Sequence, residues 1–142
     1  MGSGKLRRSV LAVALAGAAV VAPAVFPTTA PEAAAAVTCN GTANRFIGSA
    51  KTTLPAYGNS LDCLLAYGNQ GNAVYYLQLS LNKCNNADTG GVDGIYGEKT
   101  RNVIAWIQAA NGLPADGIYG PKTRKVLDWY FNTGKCERWT AA

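Results

Sequence analysis

Histidine is absent from this 142-residue chain, and methionine occurs once, at the first position. Each absence removes a class of chemistry. Zinc hydrolases hold their metal largely through imidazole, so that mechanism has no ligands here. A Ser–His or Cys–His nucleophile pair cannot be assembled either. Charged residues make up only 15% of the chain, and the net charge of +5 is spread thinly. No basic cluster is dense enough to suggest a nucleic-acid partner. No two cysteines stand in CxxC spacing, which argues against a zinc site built from thiolates. Beyond the first few dozen residues, no apolar run approaches the ~20 residues needed to span a bilayer.

What is present begins with a leader. Lys5, Arg7 and Arg8 precede the uncharged apolar run Val10–Val21, and Ala33-Ala34-Ala35-Ala36 supplies a small-residue cleavage pattern. Pro23, Pro27 and Pro31 interrupt the run before it could serve as an anchor. Residues 1–36 are therefore expected to be a secretory signal peptide cut after Ala36, with Ala34 and Ala35 as neighbouring alternatives. Cleavage removes three basic residues and one acid (Glu32), leaving 106 residues with ten Lys/Arg, seven Asp/Glu and a net charge of +3. That is the size of one small domain. All four cysteines, Cys39, Cys63, Cys84 and Cys136, lie in this part. An even count in a small exported domain reads as two disulfides, and three pairings are open.

The mature part is organised around a unit written twice. VDGIYGEKTRNVIAW (92–106) and ADGIYGPKTRKVLDW (115–129) are identical at ten of fifteen positions with an offset of 23 residues. Each copy opens with an Asp-Gly turn, Asp93-Gly94 and Asp116-Gly117, where glycine supplies a positive φ without strain. Gly97 and Gly120 then precede helical patterns, and Pro121 suits the first position of a helix. Glu98 takes that place in the first copy and complements the helix dipole.

Three helices are predicted. In GNAVYYLQLSLNKC, Val74, Leu77 and Leu81 share one helical face with Gln78 beside them, while Tyr75 and Leu79 lie off that face and need a cover. The second helix is predicted over Glu98–Ala110, buried through Val103, Ile104 and Ile107, and stopped by Asn111-Gly112. The third is predicted over Pro121–Asn132, buried through Val126, Leu127 and Tyr130. Residues 37–62, rich in Gly, Asn, Ser and Thr, read as an irregular arm anchored by Cys39 and available to cover Tyr75 and Leu79. The expected fold is all-α: a compact three-helix bundle over 63–138 with this arm in front of it.

With AVYYLQLSLN, VDGIYGEKTRNVIAWIQAANGL and ADGIYGPKTRKVL in place, residues 69–131 resemble the peptidoglycan-binding domain, a three-helix cell-wall module often attached to wall hydrolases. The doubled DGxYGxxT, the LQxxLN and the IQxxNGL carry the resemblance, and the Ala-rich leader resembles those of secreted actinobacterial proteins. The resemblance implies an all-α domain of three helices that binds bacterial peptidoglycan non-covalently, and with the leader the expected location is secreted, extracellular or cell-wall associated. Trp106 and Trp129 depart from it, standing where the family more often has small or polar residues. Related modules also look to be closed by a bond between their ends. That favours Cys63–Cys136, which brackets the three helices and closes a long loop, with Cys39–Cys84 laying the arm along the first helix. Cys39–Cys63 with Cys84–Cys136 would also staple a small domain.

No enzyme is expected, and no cofactor or metal. In the family a catalytic domain is a separate stretch, and the arm and short tail leave no room for one. A carboxylate pair of the glycosidase type would have to come from Asp93 and Asp116, whose turn positions instead predict side chains bonded to their own backbone. For binding, Lys99 and Trp106 fall seven residues apart on one flank of the second helix, and Lys122 and Trp129 repeat this on the third; Arg101 and Arg124 fall on the opposite flank. An indole face suits a sugar ring, and an ammonium can pair with a lactyl or peptide carboxylate. The competing reading, that both Trp rings pack at helix seams with the Lys residues merely solvated, is favoured because large aromatics are mostly buried. Tyr96 and Tyr119, in the DGIYG loops, are candidates for either core or rim. The expected protein is a monomeric wall-binding module, alone or beside a separately encoded wall hydrolase. An interaction or inhibitor module acting on such a hydrolase is the alternative.

Overall fold

In the computed structural model, which describes residues 36–141, the chain forms two small antiparallel sheets and three helices. The elements run β1 (Gly41–Ile47), β2 (Ala50–Ala56), α1 (Asn72–Cys84), α2 (Glu98–Ala110), α3 (Pro121–Val126), β3 (Asp128–Tyr130) and β4 (Cys136–Arg138). The expected signal peptide lies outside the described residues, apart from its last residue. Among the described residues no helix is long and apolar enough to cross a membrane.

The all-α expectation is corrected at both ends. Residues 37–62 are not irregular: β1 and β2 form a hairpin in register from Gly41↔Ala56 to Ile47↔Ala50, turning through Gly48-Ser49. Along β2 the alternating residues Thr52, Leu54 and Ala56 are all buried. This period of two fits a strand with one face on the core. The third helix stops at Val126, six residues short of the expected end, and Leu127 enters extended backbone at φ −82° and ψ 144°. From there Leu127, Trp129 and Phe131 are each fully buried, again at every second residue.

Two clamps hold that strand. The side-chain amide of Asn85, just past α1, acts as a surrogate strand. Its Oδ1 accepts the Asp128 N–H at 3.0 Å and its Nδ2 donates to the Asp128 carbonyl at 2.8 Å. On the other edge β4 pairs with β3, Tyr130 opposite Cys136. The aromatic run Trp129-Tyr130-Phe131 suits an extended, half-buried surface better than a helix.

The disulfides are Cys39–Cys63 and Cys84–Cys136, with Cα–Cα separations of 5.0 and 5.5 Å. This overturns the expected Cys63–Cys136 and Cys39–Cys84. The backbone dictates the outcome. Thr38 runs parallel to Leu64, setting Cys39 beside Cys63, and β4 lies where α1 ends, setting Cys136 beside Cys84. The arm does cover part of α1, since Leu79 is half-buried facing Lys51–Thr53 of β2, while Tyr75 remains 41% exposed. It reaches α1 through the hairpin and not through a Cys39–Cys84 bond.

One more stretch, Leu64–Gln70, with a turn at Tyr67-Gly68, ties both repeat loops together. Leu65 exchanges two backbone hydrogen bonds with Tyr119, at 3.0 and 2.8 Å. Gly68 donates to the Tyr96 carbonyl and Tyr96 donates to the Asn69 carbonyl, each at 2.9 Å. Around this seam the core gathers Leu54, Leu65, Val74, Leu77, Leu81, Ile104, Leu127 and both loop tyrosines.

Candidate functional site

Each Asp-Gly turn is held from behind by a glutamine of the preceding helix. In the first, Gln78 Oε1 accepts the Asp93 and Gly94 N–H groups at 3.1 and 2.8 Å. Its Nε2 shares its two protons among Asp93 Oδ1 (3.0 Å), the Ile95 carbonyl (2.9 Å) and Thr100 Oγ1 (3.1 Å). In the second, Gln108 accepts the Gly117 N–H at 2.9 Å and donates to Asp116 Oδ1, the Ile118 carbonyl and Thr123 Oγ1. Gly94 and Gly117 take φ of 74° and 70°, the positive values their Asp-Gly turns predict. The glutamines of LQxxLN and IQxxNGL are thus structural.

Asp93 and Asp116 do what their turn positions predict. Each Oδ1 accepts the N–H two residues ahead, from Ile95 and Ile118, at 2.9 Å. The Ile95 N–H and then the Gln78 amide hold the Asp93 carboxyl below its ordinary value. A general acid near neutral pH needs the opposite shift.

The repeat-equivalent candidates part company. Trp106 is 64% exposed on α2, whereas Trp129 is fully buried, edge-on to the Tyr119 ring, and donates its indole N–H to the Arg124 carbonyl at 3.1 Å. Trp129 is therefore core and no ligand face. Tyr96 and Tyr119 are also fully buried, which settles them as core. Tyr96 donates its hydroxyl to the Gly117 carbonyl at 2.9 Å. Burial raises both phenols well above the ordinary range. Lys99 and Lys122 are exposed. The Arg flank divides in the same way. Arg101 is exposed beside Gly117, while Arg124 is buried, donates to the Leu61 carbonyl at 2.9 Å and sits 3.6 Å from Asp62 Oδ1.

Lys99 and Trp106 come together over a hollow of about 430 Å³, with Asn102 and Val103 on α2 and Asn86 and Asp88 on the loop opposite. The opposing loop is fixed by Asn82, whose Oδ1 accepts the Thr89 N–H at 3.2 Å and lies 2.9 Å from Thr89 Oγ1. Lys99 passes over Gly90 so closely that a Cβ there would meet its Cδ at 2.9 Å. Among the described residues, neither Lys99 nor the Asn86 and Asn102 side chains have an ion-pair or hydrogen-bonding partner. Lys122 lines a different hollow of about 420 Å³, between the second repeat loop and Leu64, with no indole in it.

Sequence reasoning missed Asn86, Asp88 and Asn102 in this group. Asn102 was legible, since 99, 102, 103 and 106 follow the spacing of a single helical flank. The loop residues were not, because only the tertiary fold lays them against α2.

The open hollow thus presents an aromatic face, two amides, a cation and the Asp88 carboxylate. Residues 70–127, which include Lys99, Asn102 and Trp106, match the family described as "Putative peptidoglycan binding domain". Both Asp-Gly loops and both Gln clamps lie inside the match. No curated protein matches the chain.

Proposed function

We propose that this is an exported, monomeric and non-catalytic module that binds bacterial cell-wall peptidoglycan through the Trp106–Lys99 flank of α2. The observation that carries the reading is a fully formed indole, 64% exposed, next to an unpaired lysine and within the segment that matches a wall-binding family. Large aromatic side chains stabilise proteins by burial, so an exposed ring over an amide-lined hollow is better explained by a ligand. The indole stacks on the apolar face of a sugar, the Asn86 and Asn102 amides exchange hydrogen bonds with acetamido and hydroxyl groups, and Lys99 pairs with a carboxylate. The two disulfides and the mild positive charge suit an extracellular protein on an anionic wall. Hydrolysis, in this reading, belongs to a separately encoded enzyme.

Sedimentation with purified insoluble peptidoglycan tests this directly. Residues 37–142 should pellet with the wall, leave its turbidity unchanged and release no reducing ends. Failure to pellet would overturn the binding, and wall hydrolysis by the pure protein would overturn the non-catalytic part.

A further inference from the structure

The trough that begins at Lys99 continues past Trp106. Across the indole lies a second hollow of about 310 Å³, walled by Trp106, Asn86, Ala110, Asn111, Asp128 and Arg138. Trp106 and Asn86 belong to both hollows, so the pair forms one trough along α2 with the indole as its divide. From Lys99 to Asn111 the helix advances roughly 18 Å, at about 1.5 Å per residue. Each hollow alone lies near the low end of the ~300–1,000 Å³ typical of ligand sites, and together they fall well inside that range.

The far half of the trough is not built by the segment that matches the wall-binding family. That match ends at residue 127, and Asp128 and Arg138 lie beyond it. They are delivered by the β3–β4 ribbon, where Asp128 is paired opposite Arg138, and the Cys84–Cys136 bond fastens that ribbon to the end of α1. Arg138 Nε stands 3.3 Å from Asp128 Oδ1, with both side chains about half exposed. A pair so open to water contributes little, and the Nη donors have no partner among the described residues.

We infer that the ribbon extends the wall site into a glycan-strand site, in which successive acetamido sugars straddle Trp106 and anionic groups of the strand meet Lys99 at one end and Arg138 at the other. The inference rests on the wall-binding reading above and names its ligand as glycan, not stem peptide. The chemistry of the walls carries it. A central indole needs a flat apolar partner, which a sugar ring offers. The Asn86 and Asn102 amides can both donate and accept, as acetamido and hydroxyl groups require. Asn111, whose Nδ2 donates to the Ile107 carbonyl at 2.8 Å, keeps its Oδ1 as an acceptor. Two cations set well apart match the lactyl carboxylates that a glycan strand carries wherever its stem peptides have been removed, and a guanidinium can grip one of them with two parallel bonds.

The test uses wall glycan stripped of stem peptide, as the disaccharide and the tetrasaccharide of N-acetylglucosamine and N-acetylmuramic acid, with titration calorimetry on residues 37–142. The tetrasaccharide should bind more tightly than the disaccharide. Arg138→Gln should weaken the tetrasaccharide about fivefold, the scale of one half-exposed charge-assisted hydrogen bond, and leave the disaccharide unchanged. Ala110→Glu, on the exposed end of α2, should produce the same length-selective loss without touching β4, so it serves where Arg138→Gln disturbs the ribbon. If both variants bind both oligomers like the unmodified protein, the second hollow is no part of the site and the inference falls while wall binding stands. Binding to intact peptidoglycan but not to stripped glycan would assign the ligand to the stem peptide and also overturn it. Failure to bind intact peptidoglycan at all would remove the wall-binding reading and this inference with it.

Discussion

Gln78 reaches from the middle of α1 to Asp93 in front of α2, accepting its N–H at 3.1 Å and donating to its carboxylate at 3.0 Å. One side chain thereby sets the turn, satisfies the backbone ahead of the next helix and orients that helix through Thr100. Gln108 repeats the arrangement between α2 and α3. The helices are joined less by direct helix–helix packing than by these two polar clamps and by the Leu64–Gln70 seam beneath them. The trough along α2 depends on both, because its two ends are set by what precedes and follows that helix.

Replacing Gln78 or Gln108 by Leu should therefore cost about 2–4 kcal/mol of folding stability, since buried donors at Gly94 or Gly117 lose their acceptor. Gln78→Glu, nearly the same shape, should be as harmful at neutral pH, because an ionised carboxylate cannot donate to Asp93 and repels it. Part of the loss should return in acid, where the acid form can donate again. Urea midpoints with the disulfides intact would measure this. A glutamate variant insensitive to pH would contradict the clamp.

The two turn glycines should not respond alike. Alanine at Gly94 faces the strain of a positive φ, with the Gly71 carbonyl 3.3 Å from its Cβ. At Gly117 the added Cβ would stand 2.6 Å from Arg101 Cγ and 3.1 Å from the Arg101 carbonyl. Gly94→Ala is expected to cost about 1–2 kcal/mol, and Gly117→Ala at least ~1 kcal/mol more through overpacking. Equal losses in thermal melts would contradict the close approach of α2 to the second turn.

Much of this architecture is legible in the sequence where the signal is local. The Asp-Gly turns, the bounds of α2 and the buried Val74–Leu77–Leu81 face follow from spacing and turn chemistry alone. The hairpin was also there to be read, as Gly-Ser between two polar and β-branched runs. Its low apolar content hid it, because one face of β1 is open to water. The end of α3 is different in kind. Val126, Leu127 and Tyr130 satisfy a helical stripe while Leu127, Trp129 and Phe131 satisfy a strand, and the choice is made by Asn85 and β4 from distant parts of the chain. The Cys84–Cys136 bond shares that origin, since the ribbon that places Cys136 is invisible until β3 exists. Cys39–Cys63 rests on the Thr38–Leu64 bridge, which is also a tertiary contact. For the site, Lys99 and Trp106 were legible from helical spacing. Asn86 and Arg138 were not, because only tertiary contacts bring them to α2.

Alkaline unfolding should carry a signature of Tyr96 and Tyr119. Burial raises both phenols above the ordinary range, so the folded protein holds them neutral. An unfolded tyrosine ionises near pH ~10, and below that neither state gains by ionising. Above it the unfolded chain is favoured, so the stability present at lower pH is lost as the pH rises toward the raised folded values. Each phenol contributes a slope of up to about 1.4 kcal/mol per pH unit in that window. Of the seven tyrosines, these two should fail to ionise by ultraviolet absorbance until the protein unfolds. Smooth ionisation of all seven in the folded protein would contradict their burial.

Trp106 and Trp129, equivalent in the repeat, should separate into a binding residue and a core residue. Trp129 is fully buried, and truncation to Ala leaves a cavity and a freed Arg124 carbonyl. A loss of about 3–5 kcal/mol of folding stability is expected. Trp106 is largely exposed, so Trp106→Ala should leave the melting temperature nearly unchanged and weaken wall binding by about 1–3 kcal/mol, the scale of a lost aromatic anchor. Lys99→Ala should weaken binding less, and increasingly little as salt rises, because exposed charges are screened within ~10 Å at 0.1 M. Lys122→Ala, in a hollow without an indole, should leave binding unchanged. Melting curves and peptidoglycan pull-down on these four variants make the comparison. A Trp106→Ala protein that melts normally and still pellets fully with the wall would remove α2 from the binding site.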